Sequence, residues 1–188
     1  MRLKIIQVGE PVLREQAREL TPREIRSADI QQLIEWMRET MRDAPGVGLA
    51  APQVGMALQL AVIEDKPEYT EKAPPEVLKE RERTPVPFHV VINPKITLEE
   101  GESVTFYEGC LSLAGFTARV ARARRVTVHC LDQNARPRTI KACGWYARIL
   151  QHEIDHLHGT VYIDRMDTRT FAGIENFNRY SGGVFGRK

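Results

Sequence analysis

The chain has 188 residues, of which 42% are hydrophobic and 28% are charged, a composition that is typical of globular proteins and excludes disordered, fibrous and membrane-spanning classes. The formal net charge of +2 does not indicate a nucleic acid or an anionic surface as the partner of the whole molecule. The three cysteines are an odd number, which argues against a disulfide framework and favours a reducing compartment.

The length is that of one domain, and we interpret residues 1–188 as a single domain. The first nine residues contain neither the apolar stretch of a signal peptide nor the arginine- and serine-rich pattern of a transit peptide. We therefore expect a cytoplasmic protein.

The first half of the chain contains a predicted helix and a predicted insertion. Apolar side chains recur at helical spacing between Ser27 and the Pro-Gly break at residues 45–46, which predicts an amphipathic helix with Ser27 as its N-cap. Residues 64–87 are rich in proline and charge and lack apolar periodicity, so we interpret them as a surface insertion within the domain.

Most of the remaining periodic segments have the short, β-branched or alternating pattern of strands. A turn signal at residues 132–134 favours a hairpin between two of them, and a second helix is predicted from Trp145 to His158, ended by Gly159. This mixture, without regular alternation, predicts an α+β fold. Residues 178–188 contain paired glycines and are predicted to form a loosely ordered tail. The predicted strands are residues 57–63, 88–92, 103–107, 125–131, 138–141 and 160–163.

The strongest chemical signal is the sequence His-Glu-Ile-Asp-His at residues 152–156. A helix places residues four apart on the same face, so the imidazoles of His152 and His156 point toward one spot and can bind one metal ion. A catalytic metal needs a third protein ligand and an open position. The motif therefore predicts a metal site but leaves the third ligand undetermined.

Two candidates for the third ligand remain open from the residues alone. A metzincin would have a histidine six residues after His156, where this chain has Tyr162. A gluzincin-type peptidase would use a glutamate such as Glu175. Cys110 is the other candidate, because it follows a predicted strand and a glycine. Cys130 and Cys143 are interpreted as small buried apolar residues.

A glycine-rich segment at residues 46–55 lacks the Lys-Ser/Thr pair of a phosphate loop and the spacing of a dinucleotide-binding site. Its small residues would let a peptide-like ligand lie against the backbone, and Gln53 would present an amide donor.

Together, residues 46–53, 108–112 and 151–156 resemble the three signatures of peptide deformylases, G-x-G-L-A-A-x-Q, E-G-C-L-S and Q-H-E-x-D-H, in the same order. The resemblance extends over residues 5–171. Residues 114–116 and 144–150 are most similar to the organellar-like type 1 branch, whose members usually carry a transit peptide, so an organellar location is expected if one was removed. The resemblance implies antiparallel strands packed around a central metal-binding HExxH helix.

The resemblance also implies the chemistry of the site. Cys110, His152 and His156 would bind one divalent metal ion, Fe(II) in the native protein with Zn, Ni or Co able to replace it, and Glu153 would be the general base. Gln53 and the backbone N–H of Leu111 would stabilise the oxyanion. The expected reaction is the hydrolysis of the N-formyl group of formyl-methionyl nascent peptides, with release of formate.

The peptide backbone would lie along Val47, Gly48 and Gly109, and the methionine side chain would enter an apolar pocket. Many family members carry an arginine seven residues after the cysteine, where this chain has Thr117, so Glu108 needs another partner and we expect Arg119. Glu175 would then be a surface or packing residue. The expected pocket residues are Val47, Phe106, Trp145 and Ile149, with His152 at the base.

A non-enzymatic alternative is a ribosome- or RNA-binding module with a structural metal. It rests on four arginines, which we otherwise interpret as a solvated sheet edge that could help docking near a ribosome exit site. No membrane partner is expected, and the sequence leaves the oligomeric state open. The arginines are Arg119, Arg122, Arg124 and Arg125.

Overall fold

The computed structural model describes residues 1–71 and 73–180. The described residues form an α+β fold with two antiparallel sheets, one of strand order β1-β2-β3-β6-β7 and one of order β4-β5-β8. No helix among them is long and apolar enough to cross a membrane. The helices are α1 Pro22–Ile25, α2 Ala28–Asp43, α3 Pro75–Glu80, α4 Gly144–Leu157 and α5 Ile174–Tyr180. The strands are β1 Gly48–Ala50, β2 Leu60–Asp65, β3 Val86–Leu98, β4 Ser103–Cys110, β5 Leu113–Ala123, β6 Arg125–Leu131, β7 Pro137–Cys143 and β8 Ala172–Gly173.

Helix α2 has the predicted cap, since Ser27 Oγ accepts a hydrogen bond from the backbone N–H of Ile30 at 3.4 Å. Its apolar face packs against one face of the larger sheet, where Leu60 and Val62 of β2 belong to the same core cluster. Successive strand residues point to opposite faces, so the alternate residue Ile63 joins a second cluster on the other face.

Helix α4 supplies apolar side chains to that second cluster, and it contacts strands of both sheets. Strand β2 therefore has helices on both faces, which explains why its side chains are buried along its whole length rather than alternately. Because α4 carries residues 152–156, this packing fixes the metal-binding motif in the interior. The side chains that α4 contributes to the cluster are Ala147, Ile149, Leu150 and Ile154.

The structure differs from the sequence predictions at several boundaries. Residues 160–163 were predicted as a strand, but Tyr162–Asp164 form a 3-10 helix, because the carboxylate of Asp164 accepts a hydrogen bond from the backbone N–H of Val161 at 2.8 Å. Strand β5, Leu113–Ala123, was predicted only in part, as the sheet edge assigned to Arg119 and Arg122. The predicted tail begins inside α5 at residue 178, and its residues 181–188 lie outside the described residues.

The connection that corresponds to the predicted insertion at residues 64–87 is shorter in the structure. Glu64 and Asp65 belong to β2, and Val86 begins β3, directly paired with Asp65. The connection between the two strands includes helix α3 and has residues that face the candidate site described below. The interpretation of the chain as one domain stays a prediction.

Candidate metal centre

The structure brings the three predicted metal ligands together. The thiol of Cys110 and the imidazoles of His152 and His156 offer ligand atoms that all lie within 4.8 Å of one another. Cys110 Sγ is 3.2 Å from His156 Nε2. One thiol and two imidazoles at this mutual distance match the donor types and the number of protein ligands of a catalytic transition-metal site.

The pKa values of the two imidazoles shift in opposite directions. Burial disfavours the charged form of His152, but hydrogen bonds to Cys110 and Glu108 outweigh it and raise the pKa of His152 well above 6.5. Burial lowers the pKa of His156 well below 6.5. Metal binding requires neutral imidazoles, so His156 is already in the binding form, whereas His152 would release a proton when an ion binds.

Cys110 is positioned by a tight turn at the end of β4. Cys110 pairs with Leu113 across this turn, and the backbone N–H of Ser112 donates to Cys110 Sγ at 3.4 Å. The turn is tied to the amino-terminal segment: Gln7 Nε2 donates to Leu111 O at 3.0 Å, and Gln7 Oε1 accepts from the backbone N–H of Ala114 at 3.2 Å. The turn that carries the thiol is thus fixed from outside the sheet.

Glu108 fixes the orientation of the His152 ring through the ring nitrogen Nδ1. Its Oε2 lies 3.0 Å from His152 Nδ1, which leaves Nε2 of that imidazole directed at the metal position. Burial alone would raise the pKa of Glu108, but hydrogen bonds from His152 and Arg122 hold it well below its usual range. Glu108 is therefore an ionised partner of a candidate metal ligand.

The prediction that Arg119 is the partner of Glu108 was wrong. Arg119 is exposed, whereas Arg122 binds the Glu108 carboxylate through Nε and Nη2 at 2.9 and 3.0 Å, and Arg148 Nη1 adds a contact at 2.6 Å. Thr117 Oγ1 donates to the backbone carbonyl of Glu108 at 2.8 Å. The position that holds an arginine in many family members thus fixes the backbone here, and two other arginines fix the carboxylate.

The four arginines at residues 119–125, in β5, in β6 and between them, do not form one solvated edge. Arg122 is buried and also bridges to Asp155, and Arg124 is bound to Glu82 and Glu102. The side chains of Arg119 and Arg125 remain exposed.

Glu153 follows His152 on α4 and faces the glycine-rich segment. A Cβ atom at Gly48 would lie 2.2 Å from Glu153 Oε1, so only glycine leaves room for the carboxylate at this position. Glu153 is 4% exposed, and its Oε2 has no hydrogen-bond partner among the described residues. Burial raises the pKa of Glu153 to about 7. A carboxyl group with such a pKa can exchange a proton near neutral pH.

Gln53 is fixed so that its amide nitrogen faces the thiol. Its Oε1 accepts a hydrogen bond from the backbone N–H of Ala50 at 2.8 Å, and its Nε2 donates to Cys110 Sγ at 3.4 Å. The donor that the sequence predicted at Gln53 therefore lies beside the ligand cluster, and Leu111 follows Cys110 in the turn.

A cavity of about 620 Å³ opens onto this cluster. Its lining includes most of the residues predicted to contact a peptide: Val47, Gly48, Gly109, Trp145 and Ile149. It also includes the predicted catalytic and ligand residues Gln53, Cys110, Leu111, His152 and Glu153.

Phe106 is the predicted pocket residue that the structure places elsewhere. It does not line the large cavity but an adjoining depression. The guanidinium carbons of Arg81 and Arg148 lie 5.4 and 5.2 Å from its ring centroid, so the ring makes cation–π contacts with two arginines.

The sequence reasoning also missed one wall of the cavity. The connection between β2 and β3 contributes this wall, including two arginines, and the β4–β5 hairpin contributes Phe116. Apolar residues at irregular spacing in a proline-rich segment gave no periodic signal. The wall residues from the connection are Tyr69, Ala73, Val77, Leu78, Arg81 and Arg83.

The alternative ligand and the other cysteines lie apart from the centre. Glu175 is exposed on α5 and is not one of the residues of the ligand cluster. Cys130 is buried as predicted, whereas Cys143, predicted to be buried, is exposed at the end of β7. Its strand alternation places Ala142 inward and Cys143 outward.

Comparisons with known proteins agree with this architecture. The sequence model of the polypeptide deformylase family matches residues 2–172. The chain is 47% identical over 174 residues to "Peptide deformylase 1A, chloroplastic" of Solanum lycopersicum, covering 93% of this chain and 63% of that protein. It is 39% identical over 170 residues to "Peptide deformylase, mitochondrial" of Homo sapiens, covering 90% and 70%. The chain thus spans a little under two thirds of the length of the tomato protein.

Solved structures of relatives have the same fold. A peptide deformylase from Synechococcus elongatus in complex with actinonin has a TM-score of 0.74 and 37% identity, over 89% of this chain and 80% of that one. A class I type b peptide deformylase from Acinetobacter baumannii, with Met-Ala-Ser bound, has a TM-score of 0.78 and 30% identity, over 88% and 99%. From the extent of the family match and these similarities, the chain belongs to the polypeptide deformylase family.

Proposed function

We propose that this protein removes the N-formyl group from the formyl-methionine of newly synthesised polypeptides and releases formate. The observation that carries the proposal is the convergence of the Cys110 thiol with His152 and His156. The buried Glu153 lines the same cavity as Cys110 and His152. In this reading α4 is the central element of the fold, because it supplies two ligands and the proton carrier.

Hydrolysis requires that water attack the formyl carbon and that the C–N bond break, which leaves formate and a free amine. A bound divalent metal lowers the pKa of water and polarises a carbonyl. Glu153 takes the proton of the attacking water at its carboxylate, and with a pKa of about 7 it can return that proton to the leaving nitrogen.

Gln53 Nε2 and the backbone N–H of Leu111 would donate hydrogen bonds to the oxygen on which negative charge develops. The hydrogen bond from Ala50 to Gln53 Oε1 holds that amide before substrate arrives, so no reorientation is needed during the reaction. Loss of one such donor typically costs about 2.7–4 kcal/mol of transition-state stabilisation.

The lining of the cavity and the peptide bound to a relative indicate the substrate class. Val47, Gly48 and Gly109 offer backbone against which an extended peptide can lie, and Trp145 and Ile149 offer apolar surface. The Acinetobacter baumannii relative has Met-Ala-Ser bound, the tripeptide that would remain after deformylation of a formyl-methionyl peptide. We infer that the methionine side chain contacts Trp145 and Ile149, with His152 at the base.

We infer that the native metal is Fe(II), with Zn, Ni or Co able to replace it. A thiolate and two imidazoles accept all of these ions, so the identity must be measured. A ferrous ion beside a thiolate predicts loss of activity in air, which zinc or nickel loading would prevent.

We infer a cytoplasmic or organellar location and propose the ribosome as a further partner. Plant relatives carry names that place them in chloroplasts or mitochondria, so either the cytoplasm or an organelle suits this chain. Docking near a ribosome exit site would use the exposed Arg119 and Arg125, and unchanged ribosome affinity of the double alanine variant would refute it.

The test is formate release from formyl-Met-Ala-Ser by protein purified without oxygen, with metal analysis of the same sample. We expect stoichiometric formate and free amine, and less than 1% of the activity in Glu153→Gln and Cys110→Ala, as expected when a group used in the transition state is removed. Glu175→Ala is the matched control and should retain activity. A metallopeptidase that used Glu175 would instead cleave internal peptide bonds, and this activity would be lost in Glu175→Ala and in Glu153→Gln but retained in Cys110→Ala.

A further inference from the structure

Asp155 is a buried charged residue of the motif at residues 152–156, although it is neither a candidate ligand nor the proposed proton carrier. It lies directly before His156 on α4 and is 9% exposed. Arg122 Nη1 donates a hydrogen bond to its Oδ2, and Arg165 donates two more, at 2.7 and 2.8 Å. The carboxylate is therefore held between two guanidinium groups, one buried and one exposed.

The buried guanidinium of Arg122 also reaches the strand that carries the thiol. Its Nε and Nη2 donate to the two carboxylate oxygens of Glu108 at 2.9 and 3.0 Å. Glu108 lies two residues before Cys110 in β4, whereas Asp155 belongs to α4. Glu108, Arg122 and Asp155 therefore form an arginine bridge between the two elements, at the points where these elements bear candidate metal ligands.

The other side-chain hydrogen bonds between α4 and the strands β4 and β5 lie at or before His152. Arg148 donates to backbone carbonyls of both strands at 2.9 and 2.6 Å, and Gln151 exchanges two hydrogen bonds with the backbone of β5. His152 itself contacts a carboxylate of β4. Apart from the contact between the candidate ligands themselves, the arginine bridge is the one such tie beyond His152 among the described residues. It holds the helix turn of His156 against β4.

Stability alone does not account for the arginine bridge. The cost of removing charges from water offsets much of the attraction in a buried ion pair, so apolar side chains of similar volume are often no less stabilising. His152 and His156 share one helix and keep their relative position wherever that helix lies. The 3.2 Å between Cys110 Sγ and His156 Nε2, however, depends on how α4 packs against β4. Metal–ligand distances vary by only about 0.2 Å, so a small shift of the helix would take the thiol out of bonding distance.

We propose that Arg122 is a positioning residue that holds the Cys110 thiol at bonding distance from an ion shared with the two imidazoles of α4. It acts through Glu108 on β4 and Asp155 on α4, and it does not itself line the cavity. This inference rests on the metal centre of the proposed function and assigns a role to the aspartate of the motif. Without the bridge, the two imidazoles stay together and the ion loses the thiolate.

The experiment loads the metal-free protein with Co(II) alone, without oxygen, and records its absorption spectrum. A thiolate bound to Co(II) gives a charge-transfer band in the near ultraviolet, and we expect this band in the wild type. Arg122→Met should lose most of the band at saturating Co(II). The paramagnetically shifted imidazole signals in the proton NMR spectrum should persist, because both imidazoles belong to α4.

The affinity for Zn(II), measured by competition with a chelator, gives the magnitude. Arg122→Met should weaken it about 10- to 100-fold, as for other residues that orient metal ligands. Asp155→Asn removes only the charge at the α4 end, so it should lose part of the cobalt band and part of the affinity. The double variant should lose no more than Arg122→Met alone, because both changes break the same bridge. If Arg122→Met is not folded by circular dichroism, Asp155→Asn decides in the same two measurements.

Arg165→Met is the matched control, because Arg165 binds the same carboxylate but has a side chain that is 50% exposed and lies outside the bridge. Its cobalt band and zinc affinity should stay within twofold of the wild type. A folded Arg122→Met protein with the complete charge-transfer band would overturn the inference, even with a lower zinc affinity or a lower free energy of unfolding. Arg122 would then act on charge or stability and not on the position of the thiol.

Neither measurement depends on turnover, which separates this inference from the proposed function. If the wild type releases formate from formyl-Met-Ala-Ser but Arg122→Met keeps the cobalt band, only the inference fails. If Arg122→Met loses the band that the wild type shows, but no formyl-peptide releases formate, the proposed function fails and the inference stands. A wild type without the band would overturn the assignment of Cys110 as a ligand, and this inference with it.

Discussion

Replacement of Gly48 by alanine tests the position of Glu153 directly. The added Cβ would lie 2.2 Å from Glu153 Oε1, and ordinary contact begins at 3.4 Å, so the carboxylate must move by roughly 1.2 Å. A misplacement of about 1 Å in a reacting group can cost about 100-fold in rate. We therefore expect Gly48→Ala to lose about 100-fold in kcat/KM, whereas the free energy of unfolding falls by only about 1–3 kcal/mol, as for other overpacked sites.

The assay is formate release from formyl-Met-Ala-Ser by the metal-loaded variant, with circular dichroism to establish that it is folded at the assay temperature. Gly173→Ala is the control, because the nearest atom to a Cβ there is 4.0 Å away, and its activity should stay within twofold of the wild type. A folded Gly48→Ala protein with wild-type kcat/KM would mean that the Glu153 carboxylate does not act from beside Gly48.

Three further predictions concern the surroundings of the site. Glu108→Gln should weaken metal affinity by about 10- to 100-fold, because His152 Nδ1 loses an ionised partner; competition with a chelator measures this, and unchanged affinity would contradict the positioning role. Tyr162→Phe should change the free energy of unfolding by less than about 1 kcal/mol, because the buried hydroxyl has no hydrogen-bond partner among the described residues; a loss above about 2 kcal/mol in urea unfolding would show a missed partner. Burial lowers the pKa of His89, whose neutral ring lies between Pro87 O and Tyr146 Oη at 2.9 Å each, so its contribution to stability is fully present above the unfolded pKa of about 6.5 and is lost as the pH falls below it. Urea unfolding at pH 8 and 5.5 should show this loss in the free energy of unfolding, and the loss should be smaller in His89→Gln. An equal loss between the two pH values in both proteins would refute the assignment.

Much of the fold follows from local patterns. Strand β6, Arg125–Leu131, has the predicted bounds, since alternating β-branched residues end at a polar turn. Strand β3 extends well beyond its predicted end at residue 92, because Asn93 adopts a φ of +50° and the register with β6 shifts between Ile92 and Lys95. An Asn-Pro pair is a turn signal in sequence, but here it forms an irregularity within a continuing strand.

The site could be predicted only in part from the chain itself. Helical spacing predicts that His152 and His156 share a face, whereas Cys110 lies far away in sequence and was selected over Glu175 by resemblance to a family. The partners of Glu108 depend on the side chains of Arg122 and Arg148 meeting it from β5 and α4, and neither has a local signature. Long-range ion pairs of this kind are set by tertiary packing, to which sequence periodicity is insensitive.

The hydrogen bonds of Gln7 make the amino-terminal segment part of the candidate metal site, although it supplies none of the proposed ligands. Gln7 holds both sides of the turn that bears Cys110, and the backbone N–H of Val8 donates to Ser112 O at 2.8 Å. Proteolytic trimming past residue 8 would therefore free the thiol-bearing loop while leaving the three proposed ligands and Glu153 intact. Such a shortened protein should lose its ion and become inactive before it unfolds, so fusion partners and cleavage sites belong upstream of this segment.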